Sequence, residues 1–537
     1  MTETAVDTDT ETRDSPFGRV ELTTVPLPDG ARASSATYLP SGEVFVLFHC
    51  ADDPEGWFRI AVVGDDGARF REIFSGSIPQ SPTANGIRHM PFSDSRRVLL
   101  GDYVLEATPD LRTATTVELV PVEYPWRLTS DPLTSHHWSE IIVSPDDRHI
   151  AWTILRTDMS AIVALGRLER GADRYTIEEP VIISSSDPLV PDPERDGWFT
   201  MRPMLGGEVK QFVRGGSAIS AVGDGGGALT DSVIQSLTEE RIEPITRTPG
   251  YDETTILSPD ERLGIVMTSR ASRGTDPRFL GLLPRPHAQL VTMDLAWVLY
   301  VYAVDGVRRF RPGNIGPVLI DAERSKAEPG YEGFPLNSAD GSWVYVSPMS
   351  WHPDGTRAMW MEQRRGSGEQ GRPDLRIRVA RLPEHAPGPT VPAVATPPVP
   401  PYAIGGEEAR ERLRRRIDVV PAGRIAGAHS GHIEFQRSSD GQGTWSATSR
   451  YVGFSDDGRN VYDGVERSSG SMATGAVYEA DVVLVGDVSG EMHLRATWSG
   501  LNEGTRLQFG TAEDGRPQSF GFARFGDTVA RVDELVE

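Results

Sequence analysis

His136-His137-Trp138-Ser139-Glu140-Ile141-Ile142-Val143-Ser144-Pro145-Asp146-Asp147-Arg148-His149-Ile150-Ala151-Trp152 reads as a strand, a tight turn and a second strand. The apolar runs on either side favour extended backbone. Ser-Pro-Asp-Asp turns the chain because proline presets φ while serine and aspartate bond nearby amides. The unit recurs. Ser258-Pro259-Asp260-Glu261 separates the runs 252–257 and 263–268, and His352-Pro353-Asp354-Gly355 separates 344–351 from 357–361. Three degraded copies turn at Pro40-Ser41-Gly42, Ser93-Asp94-Ser95 and Arg214-Gly215-Gly216. Several hairpins are followed by further strand-like runs, such as 160–168 and 175–183. Four strands per repeat, at a spacing of roughly 40–60 residues or more, make the blade of a propeller. A single blade cannot bury both of its faces, so blades stack around an axis until the ring closes.

At these turns the chain resembles the WD40-like PD40 repeats of TolB-type β-propellers, over about residues 18–385. The resemblance implies an all-β, six-bladed propeller, with the run 18–25 completing the sixth blade. A seventh blade fits only if the long loop of the fifth repeat, 271–292, conceals one. Families with similar propellers include protein-binding scaffolds, prolyl-oligopeptidase-type enzymes and polysaccharide lyases with metal in the central funnel. One divalent metal ion is therefore a candidate cofactor, although no clear His-x-His element is present.

Outside the repeats, residues 1–17 read as a disordered acidic tail. The proline-rich segment 383–403 reads as a semi-rigid linker and domain boundary. Residues 404–537 open with a short charged helix, 407–417, that ends in Arg414-Arg415-Arg416. About eight strand-like runs follow, which suits a small antiparallel barrel or sandwich, lipocalin-like in strand number. Ser438-x-Asp440 with Thr444-Trp445 is a near miss to the sialidase Asp-box, spoiled by Gln442.

Composition narrows the partners. A net charge of −23 over 537 residues opposes nucleic-acid binding, which needs clustered basic residues. Basic charge is almost all arginine, and Lys210 and Lys326 are the only lysines. The single cysteine, Cys50, excludes an internal disulfide and any multi-cysteine zinc site, and it closes an apolar strand as a core residue. The N-terminus lacks the apolar core of a secretory signal, and the longest apolar run, 295–304, is too short to span a bilayer as a helix. A cytoplasmic protein with no membrane partner is the expectation.

If the strand before each turn is the innermost of its blade, as the resemblance implies, residues four to eight positions ahead of each turn converge at one mouth of the funnel. These are Ser34 and Ser35; Asn85, Arg88 and His89; His136, His137, Trp138 and Glu140; Glu208 and Lys210; Tyr251, Asp252 and Glu253; and Ser347. His89, His136, His137, Glu140 and Glu253 are the candidate acid–base or metal-binding groups. Arg88, Trp138, Glu208, Lys210, Tyr251, Asp252 and Ser347 are the candidate substrate contacts. His89 and Glu140 share one aligned position, which pairs them. The plain alternative is that such residues bond channel water or blade backbone. The chain has no Gly-x-Ser-x-Gly elbow, P-loop or His-Glu-x-x-His. Gly223-x-Gly225-x-x-Ala228 matches a dinucleotide fingerprint without the surrounding βαβ unit, so it reads as a hairpin loop. Two functions stay open. One is a small-molecule enzyme performing elimination, hydrolysis or cyclisation in the funnel. The other is a scaffold that binds protein or ligand partners.

Overall fold

The structure is a computed structural model and describes residues 10–81, 87–158, 160–185, 187–272, 274–338, 340–367, 372–415, 419–440 and 443–535. Asn85, residues 1–9 of the acidic tail, Arg416 and Gln442 lie outside the described residues.

The innermost strands of successive repeats are Arg32–Tyr38, His89–Pro91, Thr134–Val143, Val209–Val213, Asp252–Leu257 and Trp343–Trp351. Each touches the next, and the last touches the first, so they form a closed ring around a central channel. Each carries an antiparallel sheet outward, and together these sheets make a β-propeller. Strand Gly18–Thr24 pairs with Leu375–Arg381, so the start of the chain completes the sixth sheet. Residues 11–15 correct the reading of a disordered tail, because Glu11–Ser15 adds a fifth strand to that sheet. Between blades the second strands are apolar on both sides. Val44–His49 and Leu263–Thr268 are buried at every position, because each face packs on a neighbouring blade.

The insertion after Leu263–Thr268 conceals no further blade among the described residues. It is helical over Gln289–Arg309, with a π turn at Tyr300–Asp305. This helix is long and apolar enough to cross a membrane by length and composition, which corrects the reading of its apolar run as too short. Here it packs into the C-terminal sheet instead. Trp297 meets Trp445 edge-on, and Ser468 Oγ donates to the Val291 carbonyl.

That C-terminal sheet is an antiparallel meander of eight strands from Ala422–Ala426 to Thr528–Arg531. Its strands alternate buried and exposed residues, as in Thr444–Ser455, so one face is free to enclose the helix. The run 506–510 forms only an isolated bridge, Trp498 to Leu507. The first C-terminal strand pairs in parallel with Trp198–Met201, part of a hairpin that the propeller extends between blades three and four. The ten-stranded sheet runs from Leu189–Pro191 to Thr528–Arg531, and among the described residues no ladder joins those two ends into a barrel. Arg285 of the insertion and Glu466 of the sheet form a fully buried ion pair at 3.1 Å, and Tyr451 and Tyr478 also donate to Glu466.

The proline-rich segment lies along the propeller as a belt across the turn face. Gly388 N donates to Asp260 Oδ2, Val391 N to the Pro259 carbonyl, Val394 N to the Gly215 carbonyl, and Thr396 N to Asp146 Oδ2. The helix Gly406–Arg414 then docks on blade three through Ala409 and Leu413, where Arg156 holds the Leu413 and Arg415 carbonyls. The leading helix thus packs with the propeller, and the C-terminal sheet begins after it.

Candidate functional site in the propeller channel

Four blades bring ionisable side chains together from their inner strands or the residues just ahead of them. Lys210 is the hub. Its Nζ lies 3.0 Å from Glu208 Oε2, 3.4 Å from Glu140 Oε1 and 3.6 Å from Glu253 Oε1. Arg88 Nη2 donates to Glu140 Oε1 at 2.6 Å, Tyr251 Oη to Glu253 Oε2 at 3.0 Å, and Ser139 Oγ to Glu208 Oε1 at 3.3 Å. Three carboxylates and two cations therefore share one tier of the channel. The Lys210 side chain is 5% exposed while that of Glu208 is 28% exposed, so solvent reaches the tier at Glu208.

Burial and charge push these groups in different directions. Burial works against the Lys210 ammonium, but Glu140, Glu208 and Glu253 outweigh it and raise its pKa. Burial also opposes the Glu208 carboxylate, yet Lys210 beside it, with Arg88 and Ser139, brings its pKa below the usual range. Glu253 goes the other way. Its burial, with the neighbouring Glu208 charge added, exceeds the help from Lys210 and raises its pKa. Tyr251 is held protonated by burial and by Glu253. Two glutamates around one lysine are thus biased towards opposite protonation states, the arrangement that an acid–base pair requires.

The inserted helix comes close to the tier. Tyr300 and Arg308 lie within electrostatic reach of Glu253, and Arg308 Nε donates to the Tyr345 carbonyl. Tyr345 and Tyr251 are buried in the core that continues into the C-terminal sheet.

The remaining candidates stand apart from the tier. The expected pairing of His89 with Glu140 is corrected, since Arg88 takes Glu140. His89 turns to blade one, where its Nε2 meets Ser35 Oγ at 2.6 Å and its ring packs edge-on against Phe45. Burial, then Arg88, lowers the His89 pKa to about 4, so the imidazole is neutral and weakly basic. Its Nδ1 is buried and faces no carboxylate among the described residues. A Ser–His contact is present without the third group that orients a catalytic triad.

His136 and His137 leave the channel because the blade-three inner strand is irregular between His136 and Glu140, which breaks strict alternation of faces. His136 bonds Ser135 at the strand's start. His137 Nε2 and Trp138 Nε1 both bond Asp102 Oδ1, and Trp138 is buried between blades two and three. Burial opposes the Asp102 charge, but His137, the Ser81 amide and Trp138 bring its pKa down to about 2. Asp252 is fully buried in an ion pair with Arg270 at 2.7 Å. Ser347 meets Tyr345 Oη at 3.2 Å. His136, His137, Trp138 and Asp252 are therefore engaged in fixed contacts away from the Lys210 tier.

A metal ion does not fit this tier. Among the described residues no group of three or more His, Cys, Asp or Glu is arranged to hold one, and the Glu140, Glu208 and Glu253 carboxylates already face ammonium and guanidinium groups.

Sequence reasoning passed over one cavity. A space of about 230 Å³ opens where the inner strands reach the Pro-Asp turns, lined by Pro40, Met90, Pro91, Ile142, Gln211 and Phe212 among others. The signal available was the apolar residue two places after each charged one: Arg88/Met90, Glu140/Ile142 and Lys210/Phe212.

No family model and no curated protein matches the chain. It is similar to several solved structures. A putative TolB from Agrobacterium tumefaciens has 10% identity and a TM-score of 0.29 over 56% of this chain and 76% of that one. An oligogalacturonate lyase in complex with manganese has 10% identity and a TM-score of 0.33 over 70% and 97%. The β-propeller domain of the Trilobed protease from Pyrococcus furiosus has 8% identity and a TM-score of 0.34 over 67% and 100%. The architecture itself rests on the closed ring of inner strands.

Proposed function

We propose that the chain is an enzyme acting by acid–base chemistry on a small polar molecule in the propeller channel. The observation that carries this reading is the convergence of Arg88, Glu140, Glu208, Lys210 and Glu253, drawn from four blades, on one tier. Stability alone accounts poorly for it, because well-packed apolar residues serve a core as well as buried ion pairs do. Glu208, ionised and the most exposed of the three acids, acts as base; Glu253, biased towards its protonated form, acts as acid. In an elimination, Glu208 takes a proton from carbon and Glu253 gives one to the departing oxygen, as the C–O bond breaks and a C=C bond forms. Arg88 and Lys210 offset the negative charge that develops. Hydrolysis or cyclisation uses the same pair, with the base acting on water or on an internal nucleophile.

A second reading, a scaffold that binds protein or ligand partners, is supported by the fact that each tier charge already has a partner and that, among the described residues, no imidazole joins them. The test is an NMR screen of mixed hydroxylated and carboxylated metabolites, followed for product signals with wild-type protein and with Glu253→Gln. Turnover lost in Glu253→Gln supports the enzyme. Binding without turnover supports the scaffold.

A further inference from the structure

The tier and the apolar cavity lie on the same strands. Side chains two residues apart in a strand share a face and sit about 7 Å apart along it. Glu140 and Ile142 keep that spacing where the ladder of Thr134–Val143 is regular, while Arg88, just ahead of its strand, and Lys210, at a register shift, lie two residues before Met90 and Phe212; Met90, Ile142 and Phe212 line the cavity. Tyr300 and Arg308 of the inserted helix and the buried Tyr345 also lie near the tier. The belt holds Asp146 and Asp260 on the Pro-Asp face, and its bonds reach blades three, four and five. Pro40 and Ser93, from the turns of blades one and two, stand at the cavity on that same face.

The chemistry at the two levels differs. The upper level is mainly apolar, with Pro91 and Pro40 beside the three side chains named, and its lining also includes Ser93, Ser144, Asp147 and Gln211. The lower level presents carboxylate acceptors and cationic donors together, and its three carboxyl groups outnumber its two cations. An anionic group therefore finds no excess positive charge there, whereas a hydroxyl both donates to a carboxylate and accepts from Lys210 or Arg88. A wholly apolar molecule would strip water from the charges and return no hydrogen bond.

We propose that the substrate enters from the Pro-Asp face, with a short apolar segment against Met90, Ile142 and Phe212 and a hydroxylated end on the Lys210 tier. The inference rests on the acid–base reading of that tier and adds the substrate class and the direction of entry.

The test uses the full chain and a series of 1,2-diols from propane-1,2-diol to octane-1,2-diol, with Kd measured by ligand-observed NMR. Affinity rises about four-fold per added methylene until the cavity is full. Met90→Trp fills the cavity and removes the dependence on chain length. Pro40→Trp, at an exposed turn residue on the rim, does the same and serves if Met90→Trp fails to fold. Lys210→Met weakens every diol by a similar factor. Absence of diol binding, affinity independent of length, or length dependence kept in both tryptophan variants overturns the proposal. Turnover abolished by Glu253→Gln alongside any of those results leaves the catalytic reading standing and removes only the entry route. Length-dependent diol binding alongside turnover that Glu253→Gln leaves intact does the reverse.

Discussion

Replacing Lys210 by methionine keeps the length of the stem and removes the charge on which three glutamates converge. Glu208, Glu140 and Glu253 oxygens lie 3.0, 3.4 and 3.6 Å from its Nζ. Removing one partner of a buried pair costs about 3–5 kcal/mol, because the other charge is left desolvated. Arg88 still faces Glu140, and Glu208 keeps some solvent, so the lower end applies. At about 2 °C per kcal/mol, a loss of about 3 kcal/mol lowers the melting temperature by about 6 °C near neutral pH. The pH dependence carries the sign. In the wild type, Lys210 helps hold the Glu208 pKa down, so that contribution is present above the unfolded carboxylate range and lost as pH falls through the lowered folded value. In Lys210→Met the contribution is gone and the folded-state carboxylates bind protons more readily, so the gap to wild type narrows on acidification. Differential scanning calorimetry across a pH series measures both effects. A variant melting within about 1 °C of wild type near neutrality, or a gap that widens in acid, refutes the reasoning.

Three other expectations follow from contacts away from the tier. Glu466→Gln breaks the buried pair with Arg285, leaves two tyrosine hydroxyls short of their carboxylate partner, and costs about 3–5 kcal/mol, measurable as earlier thermal exposure of the C-terminal sheet to protease. Asp146→Ala and Asp260→Ala each remove a belt hydrogen bond worth about 1 kcal/mol and speed thermolysin cleavage within 383–401. Asp354→Ala, whose carboxylate bonds Thr356 and Arg357 instead, leaves cleavage in the belt unchanged. The His89 pKa is lowered to about 4, so the folded state resists protonation; stability is lost as pH falls below the unfolded histidine value and levels off below about 4. His89→Gln removes that slope of about 3 kcal/mol in acid denaturation, and an unchanged slope refutes the assignment.

The hairpins were legible because their turn chemistry is local. Ser144 Oγ bonds Asp146 and accepts from His149 N, and Ser258 makes the same two contacts with Asp260 and Leu263. Asp147, Glu261 and Gly355 close their turns at φ of 59°, 57° and 72°, which the third copy meets with glycine. The tier was legible as far as blades keep a common register, which gathered Arg88, Glu140, Glu208, Lys210, Tyr251 and Glu253. It failed at His136, His137 and Trp138, where a local irregularity in one strand redirects side chains and no sequence period records it. The pairing of His89 with Glu140 also failed, because its neighbour Arg88 reaches Glu140 while His89 itself points to Ser35. The run 295–304 was opaque because its β-branched and aromatic residues favour strands, and only enclosure by the distant C-terminal sheet gives them a helical place. The hairpin Leu189–Pro191 with Trp198–Met201 likewise joins a sheet more than two hundred residues downstream, a pairing that local patterns do not encode.

The catalytic account of the channel depends most directly on Glu253. The measurement is single-turnover NMR of a substrate found by screening, with wild type and Glu253→Gln at equal saturation. General-acid catalysis predicts a loss of about 10²–10⁴-fold in rate with substrate affinity retained. A rate within a few-fold of wild type, with binding intact, contradicts it.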